Sequence, residues 1–380
     1  MINHITIFTG SRGEWGYIRP VVQLLKEMNL KFDIIVANMH LLPQNGFTEK
    51  EILSDGFEIS ERVYMNLHGP DEISWPKSLG LLTFQLPDIY ARLNTDLLLV
   101  AGDRAETFSA VCAAFYADLP IAHIQAGELS GHKDGMVRHA IGKLAHIHFA
   151  SNQDAADRLR RFGEQDFRIH RVGAPQLDDI KVQNLMSIQE IKDTLNFDLK
   201  KNFALCVVHP TSESPTECQD YVKMIGRACE ENDLMQVWIY PNNDAGSKGI
   251  VSELDRMTSN DIVSFRNLNR RTYLSLINKA QMIIGNSSSG LLEAPSLKTA
   301  AINLGQRQND RVRAESVIDV SDVSIRSIDE AIKTLSSDVF RRRLKDVSNP
   351  YGDGHSASRI VKILENTLID SQLINKFVKE

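Results

Sequence analysis

Short, unbroken apolar runs alternate with helix-patterned segments along almost the whole chain, and this alternation decides the fold class. HITIFTG from His4, KFDIIVA from Lys31, DLLLVAG from Asp96, IAHIQA from Ile121 and IHFAS from Ile147 occupy the first half. FALCVVHP from Phe203, QVWIYPN from Gln236, IVSFRN from Ile262, QMIIGN from Gln281 and TAAINLG from Thr299 continue the rhythm. A strand buried on both faces reads as a continuous Val/Ile/Leu run, and strands separated by helices pair in parallel with crossover connections. With 380 residues, 42% of them hydrophobic, the chain exceeds the roughly 250–300 residues at which a single core stops growing. Two doubly wound α/β domains are therefore expected, with the break near RVGAPQLDDI (171–180), where the pattern lapses. A (β/α)8 barrel is the rival, disfavoured by irregular strand spacing and by a length above the ~250 residues usual for that fold. In YIRPVVQLLKEM, Pro20 is expected close to a helix start. The last helical stretch, SASRIVKILENTLI, can pack on either domain.

The formal net charge of −6 argues against nucleic acid or an anionic membrane surface as the main partner. An anionic ligand then needs a local cluster of donors. No apolar run approaches the ~18–20 residues of a membrane span. The N-terminus reads as a strand rather than a secretory leader. Cys112, Cys206, Cys218 and Cys229 have no metal-ligand or redox spacing and are expected as buried thiols. A cytoplasmic protein without a metal follows.

In open α/β sheets, ligands lie outside the carboxyl ends of the strands, so those loops carry the functional reading. TGSRGEWGYIRP is glycine-rich but has neither G-x-G-x-x-G nor the Walker lysine. Its Arg12, beside a helix N-terminus, suits a phosphate; a tight turn with a surface arginine is the plainer alternative. GNSSSGLLEAPSL sets Ser287, Ser288 and Ser289 after a buried strand. One serine is explained as an N-cap, whereas three between glycines suit a diphosphate on amides and hydroxyls. Glu293, one turn on, suits ribose hydroxyls or is a solvated helix residue. AGDRAE places Asp103 and Arg104 at a strand end, where the aspartate is a ligand-facing acid or simply a helix cap. His209 and Arg307 end two further strands, and these side chains together suit a nucleoside diphosphate.

Between His123 and Ala140, HIQAGELSGHKDGMVRHA crowds titratable groups behind a strand. This segment, with SRGEWGYIRP, AGDRAE, PNNDAGSK, GNSSSGLLE and INLGQRQ in that order, resembles the UDP-N-acetylglucosamine 2-epimerases, in particular the hydrolysing branch of the sialic- and legionaminic-acid pathways. The resemblance spans nearly the whole chain. It implies two Rossmann-like doubly wound domains in the arrangement of the B-type glycosyltransferases. Residues 1–172 form the first, with the C-terminal helix 355–380 returning to it, and 173–354 form the second. It implies UDP and a UDP-sugar as partners, no cofactor, and a homodimer or homotetramer. Position by position, Arg12, Arg104, Asn242, Ser287, Ser288, Glu293 and Arg307 match UDP contacts, with Ser289 in the same loop and Leu268 beside the uracil. His209 matches a histidine near the phosphates, a catalytic candidate that protonates or orients the leaving phosphate or else only binds it, and His40 matches one in the sugar region. Asp103 and Asp134 match acids needed for turnover.

The reaction so implied releases UDP and N-acetylmannosamine, by anti elimination to 2-acetamidoglucal and then syn hydration. UDP- or GDP-N,N′-diacetylbacillosamine is the alternative substrate, and a silent nucleotide-sugar sensor the non-enzymatic one. The sequence departs from the family pattern at Gln125, where a glutamate is expected. An amide shuttles no proton at neutral pH, though Gln125 can hydrogen-bond the sugar or fix a carboxylate, so Glu128 with Asp134 is expected to carry acid–base work. Arg138, His139, Lys143 and His146 fall at helical spacing and are expected as supports, with Arg138 orienting Asp134.

Overall fold

The computed structural model describes residues 1–43, 46–68, 71–129, 134–199, 202–211, 215–241, 246–257, 259–266 and 268–379. The chain divides into two compact units. One holds the described residues of 1–129, 134–179 and 351–379, and the other holds the described residues of 180–350.

The first unit is built on seven strands: β1 (His4–Thr9), β2 (Lys31–Ala37), β3 (Glu61–Val63), β4 (Leu97–Ala101), β5 (Ile121–Ile124), β6 (Ile147–Ala150) and β7 (Ile169–Arg171). Their order is β3-β2-β1-β4-β5-β6-β7, and every pair is parallel. The second unit has β8 (Phe203–Val207), β9 (Met235–Ile239), β10 (Ile262–Phe265), β11 (Met282–Gly285), β12 (Ala300–Leu304) and β13 (Val317–Val320). Their order is β10-β9-β8-β11-β12-β13, again wholly parallel. Both sheets reverse strand order once, between β1 and β4 and between β8 and β11. A doubly wound sheet opens its ligand crevice at such a reversal, beyond the strand carboxyl ends.

Central strands bury every residue, as their unbroken apolar sequences require: β1, β4 and β8 have no exposed position. Short β3, β7 and β13 are absent from the sequence reading because they sit at sheet edges and carry charges or partial exposure. A second omission is the long helix Asp71–Leu93, whose Pro76 and Pro87 disguise it as loop. It packs against the helix Ala105–Tyr116, and the Tyr90 hydroxyl donates to the Ala110 carbonyl at 3.1 Å.

The helix after β1 starts at Arg12, earlier than expected, so Pro20 lies in its interior. Its start is fixed by Ser11, which accepts from the Glu14 N–H, and by Glu14, which accepts from the Gly10 N–H at 2.7 Å. Proline removes one i→i−4 bond and crowds the carbonyl four residues back. That residue is Gly16, around which an added Cβ would meet open space. The C-terminal helix Ser356–Asn366 packs on this one; Ile360, Val361 and Leu364 share a core with Ile18, Val22 and Leu25. Asp178 caps it, accepting from Ser356 N–H at 3.0 Å and Ala357 N–H at 2.6 Å. Among the described residues, no helix is long and apolar enough to cross a membrane, and no His/Cys/Asp/Glu cluster suits a metal ion. Cys206, Cys218 and Cys229 are buried and Cys112 is partly buried, all as free thiols.

Candidate active site

At the first reversal, β1 is followed by Gly10 and β4 by Gly102-Asp103-Arg104. Arg138, on the helix Asp134–Leu144, enters this end of the sheet with its side chain only 2% exposed. Its Nη2 donates to the Asp103 carboxylate, and its Nη1 donates to the Gln125 carbonyl at 2.9 Å. The charges of Asp103 and Glu128 both raise the guanidinium pKa, against burial, which lowers it. Glu128 is itself buried and accepts from the Ser151 hydroxyl; its Oε2 has no partner among the described residues. One buried cation thus gathers three of the residues that the sequence singles out: Asp103, Gln125 and Glu128.

The described bonds of Arg138 hold Asp103 and the turn after β5; helical spacing also points it at Asp134. Asp134 opens the helix, and its side chain lies outside the described residues. Gln125 adopts a left-handed backbone at φ 60°, a conformation uncommon outside glycine. Gly127 follows at φ 77°, where an added Cβ would lie 2.4 Å from the Ala155 carbonyl oxygen. The Gln125 side chain is 1% exposed and donates to Gln176 Oε1 at 3.3 Å. The amide therefore ties the turn to the segment after β7.

Arg12 begins its helix and pairs with Glu51 at 3.0 Å, both partly exposed. Arg104, at the N-cap of the helix Ala105–Tyr116, donates its Nε to Glu106 at 2.8 Å. Asp103 is not a simple cap, since Arg138 holds its carboxylate. His40 is fully buried, its Nε2 3.0 Å from Thr9 Oγ1 and its Nδ1 2.9 Å from Thr48 Oγ1. Burial pushes its pKa down to about 4, and both ring nitrogens are satisfied within the unit. His123 in β5 lies 2.7 Å from the Gly102 carbonyl oxygen and is pushed down to about 3 by burial, so it stays neutral behind the loop.

The sequence reading misses two residues here. Glu14 and Glu106 are both buried beneath the loops after β1 and β4. Glu14 accepts from Gly10, Ser11 and Thr107, and Glu106 from Asn38 and Arg104. The S-x-x-E spacing of Ser11 and Glu14 is a helix-start signal; it gives no hint of a second buried acid.

At the second reversal, Asn286 locks the ends of β8 and β11 together. Its Oδ1 accepts from the His209 N–H at 2.7 Å, and its Nδ2 donates to the His209 carbonyl at 2.8 Å. The Asn286 carbonyl accepts from Arg307 Nη1 at 3.1 Å and Gln308 Nε2 at 3.0 Å. Gly285 is required, because an added Cβ would sit 2.0 Å from the Val207 carbonyl oxygen. The serine loop is braced internally. Ser287 Oγ accepts from the Ser289 N–H at 3.3 Å, and the Tyr273 hydroxyl donates to Ser289 Oγ at 2.8 Å. Ser288 caps with no side-chain bond, and the helix that follows, Ser289–Leu292, is a single turn rather than the longer helix expected. Glu293 is buried, 3.6 Å from Arg270 Nη1, and is not a solvated residue. Leu268 is half-buried against the core of this unit. Asn242 lies outside the described residues.

Two parallel sheets, each with polar and cationic side chains at its strand-order reversal, define a doubly wound α/β protein. The profile described as UDP-N-acetylglucosamine 2-epimerase matches residues 23–365, and the chain belongs to that family. It is 32% identical over 378 residues, 99% of each chain, to the hydrolysing UDP-N,N′-diacetylbacillosamine 2-epimerase of Legionella pneumophila. It is 31% identical over 382 residues, 98% of each chain, to the hydrolysing GDP/UDP-N,N′-diacetylbacillosamine 2-epimerase of Campylobacter jejuni. In fold it is similar to the UDP-GlcNAc 2-epimerase of Neisseria meningitidis crystallised with UDP-GlcNAc. That likeness has a TM-score of 0.80 at 18% identity and covers 96% of this chain and 100% of the other.

Proposed function

We propose that the protein hydrolyses a UDP-linked 2-acetamido sugar with inversion at C2, releasing UDP and the free C2 epimer. The observation that carries this is the Asp103 carboxylate at the end of β4, held by a buried guanidinium that also faces Glu128. The hydrogen on C2 is not acidic, so the C1–O bond must break ahead of proton removal. The bonding pair leaves with the diphosphate, a carboxylate takes the C2 proton, and a 2-acetamidoglucal results. Water then adds across the double bond, its hydroxyl to C1 and a proton to C2. The chemistry calls for a base, an acid that positions water, and donors for the leaving group.

Asp103, Glu128 and Asp134 take the first two roles. Within the first unit, Arg12 and Arg104 are the candidate donors for a diphosphate; within the second, Arg307, His209 and the Ser287–Ser289 loop with Glu293 are the candidate UDP contacts. Each charge-assisted donor contributes on the order of 1.5–3 kcal/mol. UDP-N-acetylglucosamine is the substrate suggested by the family resemblance. N,N′-diacetylbacillosamine linked to UDP is the second reading, favoured by the names of the two relatives above 30% identity. Turnover compared on these two and on the GDP-linked sugar distinguishes them. The reading also makes the protein a cytoplasmic homo-oligomer, which sedimentation of the purified chain tests. For the roles, Asp103→Asn, Glu128→Gln and Asp134→Asn are each expected to abolish UDP release. Full turnover by Glu128→Gln, with loss in the other two, refutes the acid–base role given to Glu128.

A further inference from the structure

Two buried carboxylates at the first reversal are served by one cation. Glu106 is wholly inaccessible; its Oε1 accepts from Arg104 Nε and Asn38 Nδ2, each at 2.8 Å. Its Oε2 is buried without a partner among the described residues. Glu14, 3% exposed, accepts from the Gly10 N–H at 2.7 Å, the Ser11 hydroxyl at 3.2 Å and the Thr107 hydroxyl. Gly10 presses on Glu106, while Gly102 lies at ordinary contact range of Glu14. A Cβ on Gly10 would lie 2.4 Å from Glu106 Cγ, and one on Gly102 would lie 3.9 Å from Glu14 Cγ. The acids thus form the floor under the loops that carry Arg12 and Asp103-Arg104.

We propose that Glu14 is a positioning residue that holds a proton beside the buried Glu106–Arg104 ion pair, and that this proton keeps the Arg104 charge available to an anionic ligand. The inference rests on the assignment of Arg104 to UDP made above. With Glu14 protonated, Glu106 and Arg104 form a neutral ion pair that aims the guanidinium. With both acids ionised, the pair outweighs Arg104 and the floor turns negative beneath the diphosphate. Two carboxylates sharing a site do not ionise together in a low dielectric. Burial first, and then the Glu106 charge, push Glu14 up to about 7, against the lowering effects of Arg104 and the Thr107 and Gly10 bonds. Among the described residues, His40 also faces Glu106 and stays neutral through that range, and the Tyr17 ring lies beside Gly102 next to Glu14. Linkage makes the effect reciprocal: a ligand that favours the protonated floor loses affinity as pH rises through 7. One added charge close to the diphosphate weakens binding on the order of tenfold.

The test is calorimetric titration of the full chain with UDP from pH 6 to 8.5, for wild type, Glu14→Gln and Thr107→Val. UDP itself titrates in this range, so the informative quantity is the ratio of wild-type to variant Kd at each pH. Glu14→Gln fixes the floor in its protonated charge state. The wild-type Kd is expected to rise on the order of tenfold relative to it between pH 6 and 8.5. Thr107→Val keeps both acids but removes a donor to ionised Glu14, so its midpoint is expected at higher pH than wild type. A merely structural role would lower stability without moving this midpoint. A flat ratio, with UDP bound by both proteins and the Thr107→Val midpoint unmoved, overturns the proposal. Absence of UDP binding by wild type at every pH instead refutes the nucleotide reading, and this inference falls with it.

Discussion

Replacing Arg138 by methionine isolates the interaction on which the site is built. Methionine keeps much of the apolar stem and removes the guanidinium, leaving the Asp103 carboxylate and the Gln125 carbonyl without their donor. Breaking a buried ion pair from one side costs about 3–5 kcal/mol. The Asp103 side chain is 20% exposed and can recruit water, so the lower end, about 3 kcal/mol, applies. The orphaned Gln125 carbonyl, in a left-handed turn that the guanidinium helps to hold, adds about 1 kcal/mol. A loss of about 4 kcal/mol is large beside the 5–15 kcal/mol of a typical domain. For catalysis, a base displaced by about 1 Å costs on the order of 100-fold in rate. Arg138→Lys keeps the charge without the fork and is expected to fall between. Urea unfolding at constant slope reads the first quantity, and kcat for UDP release reads the second. A variant that loses under about 1 kcal/mol and keeps most of its kcat would refute the claim that Arg138 organises Asp103.

Lys376 secures the C-terminal segment, donating to the carbonyls of Gly142, Lys143 and Ala145 at 2.8, 2.9 and 2.6 Å and pairing with Glu164 at 2.7 Å. Glu164 keeps Lys143 and His148 as partners, so Lys376→Met is expected to cost about 2–4 kcal/mol in urea unfolding while kcat changes little. No loss of stability would show the segment to be an ornament. Acid should destabilise the first unit. Burial lowers His40 and His146 to about 4 and His123 to about 3, below the ordinary value of 6.5. These rings are neutral in the fold and gain protons on unfolding, so their contribution is full above pH 6.5 and falls as pH drops from there toward 4, opposed in part by Glu14, which is raised to about 7 and favours the fold as it protonates. Each ring contributes a slope of up to about 1.4 kcal/mol per pH unit, read from urea midpoints. A stability flat from pH 7 to 4.5 would contradict it.

The parallel sheets are legible because a strand covered on both faces has no polar position to hide, as in DLLLVAG and FALCVV. Edge strands such as Glu61–Val63 carry no such signature, and the prolines of Asp71–Leu93 break a propensity that tertiary packing restores. The site is legible as loops but not as contacts. Asp103 and Arg138 stand 35 residues apart, and it takes the β4–β5 pairing and the packing of the helices Ala105–Tyr116 and Asp134–Leu144 to bring them together. The pairing of Glu14 with Glu106 needs the fold as well, because each acid alone reads as a first-turn residue of its own helix. Gln125 reads as the loss of an acid, yet its backbone carbonyl carries the contact to Arg138.

The central claim is that a nucleotide-linked sugar is cleaved with protonation at C2. Proton NMR of the wild-type protein with UDP-N-acetylglucosamine, or the UDP-diacetylbacillosamine counterpart, in heavy water tests it directly. The account predicts equal amounts of UDP and free sugar with inverted C2 bearing deuterium. A UDP-linked epimer accumulating without release of UDP, or no conversion of either sugar in the absence of an acceptor, would contradict it.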